Sequence, residues 1–111
     1  MTFDELLVEV KKVKCEERRA AEVDYCEVVV TKSGLRNMSD VLEACFGLPL
    51  KPEGVAPSKE ASLYAQPFGG IRGTQTMYFR TGDKGPELAL LWPWGSGDLV
   101  TVKIIRTGVQ S

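Results

Sequence analysis

The residue with the clearest chemical surroundings is Cys15. At helical spacing its neighbours are Lys11, Lys12, Arg18 and Arg19, all cationic. Positive charge around a thiol favours the thiolate, which is the nucleophilic form. Glu16 and Glu17 offset part of that charge. Cys15 is therefore the candidate reactive thiol. Cys26 and Cys45 fall among Val28, Val30, Leu42 and Phe46, and read as small core residues. No Cys-x-x-Cys spacing occurs, so neither a zinc knuckle nor a dithiol motif is offered.

The segment Phe68-Gly69-Gly70-Ile71-Arg72-Gly73 is the candidate anion loop. It lacks the Gly-Lys-Ser/Thr of a P-loop and the G-x-G-x-x-G of a dinucleotide fold. Gly70-Ile71-Arg72-Gly73 matches the GxxG of KH modules in letters, but that loop joins two helices and the residues after Gly73 read as a strand. What remains is physical. Gly69, Gly70 and Gly73 let backbone N–H groups approach a ligand, and Arg72 offers a fork for a carboxylate or phosphate. The same glycines also suit a plain turn. In Trp92-Pro93-Trp94, strand alternation sends both indoles to one face, and tryptophan is enriched in interface hot spots. Trp94, beside a turn, is the better surface candidate.

Absences narrow the chemistry. There is no histidine, which removes Ser-His-Asp and Cys-His catalysis and imidazole ligation of a metal. The carboxylates are scattered, Asp83 and Asp98 sit in turn sequences, and Tyr25, Tyr64 and Tyr78 have no visible activating partner. No catalytic set, metal site or cofactor is expected. Residues 1–50 carry 7 basic and 10 acidic side chains, and residues 51–111 carry 7 and 5. Neither half resembles a basic stripe, so nucleic acid is not an expected partner. The start is acidic where a signal peptide needs basic residues, and the longest apolar run is Leu88–Trp92. A cytoplasmic protein with reduced thiols and no membrane contact is expected.

These residues need elements to position them. Thr2 and Glu5 form a capping box, and Phe3, Leu6, Leu7, Val10 and Val13 make an apolar stripe, so a helix is expected over 3–20. YCEVVVT reads as a strand over 25–31, with Cys26, Val28 and Val30 on one side. A second helix over 35–46 carries Leu35, Met38, Leu42, Cys45 and Phe46, with Ser33, Asn37 or Ser39 as its cap and Gly47 as its stop. A Pro-rich connection follows over 48–57, then a short helix over 58–65, the Gly-rich loop over 68–73, a β-meander over 74–106 and a tail over 107–111. Pro93 marks a strand end, edge or bulge, and the strand Glu87–Trp92, apolar on both sides, should be the most deeply covered.

The fold expected is a single α+β domain over 1–111. Its mostly antiparallel four-stranded sheet comprises one early strand plus the C-terminal meander, with two amphipathic helices packed on it. The function expected is a non-catalytic binding or regulatory module, with a protein or small-molecule surface near the Gly-rich loop and Trp94. The alternative is an enzyme or carrier for a small anionic metabolite held by Arg72. A homodimer through the meander edge, or through Val8 and Cys15 on a spare side of the first helix, is a third expectation.

Overall fold

A computed structural model describes residues 1–107; most of the expected tail lies outside the described residues. The first helix, α1 (Phe3–Lys12), starts as its sequence dictates. The Thr2 hydroxyl accepts from the Glu5 amide at 3.1 Å, and the Glu5 carboxylate accepts from the Thr2 amide at 2.7 Å. Phe3, Leu6 and Val10 are buried.

The helix does not run to residue 20. It stops at Lys12, and Glu17–Ala21 is a strand, β1, paired antiparallel with β2 (Tyr25–Thr31). The reason is tertiary. Beyond Val13 no apolar stripe holds the chain on the core, whereas the outer edge of β2 has backbone groups that need partners. A hairpin through residues 22–24 supplies them. The bulge between Arg18 and Ala20, and the exposed charges of Glu17, Arg18 and Arg19, suit an edge strand that must not recruit another chain.

The second helix, α2 (Leu35–Phe46), matches its expected span and buries Met38, Leu42, Cys45 and Phe46. Its N-cap is Gly34, not one of the polar residues expected; the Gly34 amide donates to Thr31 Oγ1 at 3.0 Å. Gly47, at φ 79°, closes it. A third helix, α3 (Lys59–Ala65), is capped by the Ser58 hydroxyl and runs into a 3₁₀ turn at Gln66–Phe68.

Strands β3 (Thr76–Gly82), β4 (Gly85–Pro93) and β5 (Leu99–Arg106) form the meander. The early strand joins it through β5, so the sheet has five strands in the order β1-β2-β5-β4-β3, every neighbouring pair antiparallel. Among the described residues the four strands expected become five, and the third helix is the short one expected over 58–65. On one face α1 and α2 cover Cys26, Val28, Val30, Val102, Ile104, Ala89 and Tyr78. On the other, α3 and its 3₁₀ turn cover Met77, Leu88, Leu90 and Ile105. Leu88 to Leu91 are all buried, as expected of a strand clothed on both sides. Among the described residues, no helix is long and apolar enough to cross a membrane.

Candidate functional site

Trp92 packs with the cluster under α3, and Trp94, just past the end of β4, reaches Thr101, the residue opposite Trp92, so both indoles lie on the α3 face. The Trp94 amide donates to Leu99 O at 2.8 Å, so the amide position of residue 93 faces away from β5. There β3 has already ended, its last pair being Thr76 with Leu91. Pro93 therefore removes no ladder bond, and the alternation survives it.

The two indoles differ in what surrounds them. Trp92 is clamped. The Gly69 backbone lies against its ring so closely that a Cβ on Gly69 would come within 2.2 Å of the indole, and Gly69 has φ 107°. The Lys103 ammonium sits 3.7 Å from the ring centroid and donates to Phe68 O at 3.1 Å. The indole nitrogen of Trp92 is buried and has no partner among the described residues. Trp94 is 36% exposed. Its Nε1 donates to Thr101 Oγ1 at 2.8 Å, and the Arg19 guanidinium lies 5.6 Å from its ring centroid.

Beside Trp94 lie side chains of β1 and β2, with Tyr25 reaching back to the cluster under α3. Arg19 pairs with Glu17 at 3.3 Å and with Glu27 at 3.5 Å, and the Tyr25 hydroxyl donates to the other oxygen of Glu27. Burial first, and then that hydrogen bond, push Tyr25 well above the ordinary phenol range, so it stays a donor. The charges of this patch are thus paired with one another.

The Gly-rich loop turns inward. The Gly70 amide donates to Ala65 O, and Gly73 O accepts from the Gly54 amide and the Lys51 ammonium, each at 2.7 Å. Lys51 is 2% exposed and donates as well to Pro52 O and Gln75 O, so all three of its protons end on backbone carbonyls. Burial pulls its pKa below the ordinary lysine range. Lys51 also exchanges backbone bonds with Met77, covering the start of the β3 edge. Arg72 is exposed, held by its backbone to Gln75. The structure thus joins Gly69 to Trp92 and Gly73 to Lys51, while Arg72 stands alone at the surface.

The cationic ring around Cys15 does not form, because the helix that would build it ends at Lys12. Cys15 lies in the link to β1, half-buried, and among the described residues its thiol has one hydrogen-bond contact, with Arg18 at 3.5 Å. Val8, 52% exposed on α1, no longer shares a helix side with it, so the seam expected from that spacing is absent. Cys26 and Cys45 are core residues whose thiols burial pushes above the usual cysteine range.

One arrangement escaped the sequence reading. At the end of the sheet nearest the α1 N-terminus, Arg80, Glu87 and Arg106 stand in register across β3, β4 and β5. Arg80 Nε donates to Glu87 Oε1 at 2.7 Å, and Arg106 Nε donates to Asp24 Oδ1 at 2.8 Å. A row of alternating charge thus crosses the sheet on the face covered by α1 and α2. Glu87 is 3% exposed and Arg106 8%. The signal was present: each lies two residues from an inward apolar position, Arg80 after Tyr78, Glu87 before Ala89 and Arg106 after Ile104. Gly82 lies against the Glu87 carboxylate, and a Cβ on it would fall 2.0 Å from Oε2, so a larger residue would displace that carboxylate. The row opens into a cleft of about 340 Å³ that also meets Asp4, Asp83 and Lys84.

Neither a known protein family nor any curated protein or solved structure matches the chain.

Proposed function

We propose that the protein is a non-catalytic binding module that presents the sheet surface around Trp94 to a partner protein. The observation that carries this reading is the contrast between the two tryptophans. Trp92 is packed by Gly69 and Lys103, whereas Trp94, 36% exposed, stands beside Arg19, whose guanidinium links it to Glu27 and so to Tyr25. Tryptophan, tyrosine and arginine are the residues most enriched where proteins meet. Because the charges of the patch are paired with one another, a protein can cover them without orphaning a charge. The inward bonding of the Gly-rich loop favours this reading over an anion held at Arg72.

The test is selection of peptides from a displayed library against the wild-type chain, with Trp94→Ala as the comparison. Binders should shift tryptophan emission and lose at least about tenfold in affinity on Trp94→Ala or Arg19→Ala. Selected peptides that bind all three proteins alike would place the surface elsewhere.

A further inference from the structure

We propose that the cleft at the end of the sheet binds a small zwitterion, an ammonium and a carboxylate on one short skeleton, of the free α-amino acid class. It lies on the face covered by α1 and α2, opposite the Trp94 patch, and does not depend on that reading.

Three observations converge. The cleft holds about 340 Å³, within the range of small-molecule sites. Its floor is made of charges taken out of water, Glu87 and Arg106. Each is paired with a more exposed partner, Glu87 with Arg80 and Arg106 with Asp24, and such half-buried pairs add little to stability, so charges drawn out of water beside an opening call for another role. The third observation is which atoms remain free. Arg80 uses Nε on Glu87 and Nη1 on Cys45 O. Arg106 uses Nε on Asp24, and Nη2 on Val23 O and Asp4. Among the described residues, no hydrogen bond reaches Glu87 Oε2, Arg80 Nη2 or Arg106 Nη1. One carboxylate oxygen and two guanidinium nitrogens are left to a ligand.

Charge selects the ligand class. The lining side chains comprise three cations, Arg80, Lys84 and Arg106, and three anions, Asp4, Asp83 and Glu87. A phosphate dianion meets three carboxylates, and a free amine meets three cations. A molecule carrying one charge of each sign meets both complements, its ammonium toward Glu87 Oε2 and its carboxylate toward the guanidinium nitrogens and Lys84.

The probes are L-alanine, L-serine and L-glutamine, titrated calorimetrically into the full chain alongside acetate, ethylammonium and inorganic phosphate. At least one amino acid should bind saturably below about 10 mM, at least about tenfold tighter than acetate, ethylammonium or phosphate. Glu87→Gln should weaken it by a further tenfold or so, as should Lys84→Ala, a change at the exposed hairpin tip that leaves the floor intact. If Glu87→Gln fails to fold, Lys84→Ala decides. No saturable binding by any of the three amino acids would overturn the proposal. So would equal binding of acetate or phosphate, or full affinity in a folded variant.

Discussion

Replacing Lys51 by methionine keeps an unbranched chain of similar length and removes only the ammonium. Three carbonyls lose a charged donor: Pro52 O, Gly73 O and Gln75 O. Gly73 O keeps the Gly54 amide at 2.7 Å. Pro52 O keeps only a long contact to the Val55 amide at 3.4 Å. Pro52 is exposed, so water can replace the ammonium at its carbonyl, whereas at half-buried Gln75 the loss of a bond to a charged donor costs about 1.5–3 kcal/mol. Against this, methionine has no ammonium to desolvate, and that burial cost is visible in the lowered pKa of Lys51. The net expected loss is about 2 kcal/mol, a large share of the ~5–15 kcal/mol that holds a domain folded. With a urea slope of about 1–3 kcal/mol/M, the unfolding midpoint should fall by about 1 M. Amide exchange should quicken first at Lys51 and Met77, whose mutual backbone bonds the cage supports. A midpoint within about 0.2 M of wild type, with exchange unchanged at those amides, would show that the caged ammonium does not hold the Pro-rich connection in place.

Other perturbations read other parts of the structure. Gly69→Ala drives a Cβ into the Trp92 indole at a φ of 107°, and should cost about 1–3 kcal/mol and shift tryptophan emission; unchanged emission would refute the clamp. The backbone and hydroxyl of Thr2 hold the Glu5 carboxyl below its ordinary value of 4.5, so the reciprocal cap is complete above that value and is lost as pH falls through the depressed one. The Thr2 amide resonance should report a midpoint below 4.5, and a midpoint at or above it would exclude the bond. Thr2→Ala should cost about 1 kcal/mol in thermal unfolding, and an unchanged melting temperature would count against the cap. Iodoacetamide should modify Cys15 first, with Cys26 and Cys45 protected until the chain unfolds; simultaneous labelling in the native state would contradict their burial.

Where local chemistry and the hydrophobic pattern agreed, the sequence was readable. The Thr2–Glu5 box, the stripe from Met38 to Phe46 and the turns of the meander all sit where their residues place them. The strand Glu17–Ala21 was not readable, because ERRAA has no apolar alternation and becomes a strand only through the unpaired edge of β2. The site was legible in part. Alternation put Trp92 and Trp94 on one face, but nothing local says that Gly69 covers one of them and spares the other. Arg80, Glu87 and Arg106 read one at a time as ordinary charged strand ends. Only the register of three strands turns them into a row. Lys51 gave no signal, since its three acceptors lie in backbone near and far along the chain.

The placement of β5 bears on how the chain is made. It is the last strand in chain order among the described residues, yet it lies in the middle of the sheet, between β2 and β4. As the polypeptide leaves the ribosome, the β1–β2 hairpin and the β3–β4 hairpin emerge first and have no direct pairing with each other. Their facing borders stay open until Leu99–Arg106 arrives to zip both at once. Nascent chains stalled before that point expose two adhesive flanks, and would be the forms most in need of a chaperone.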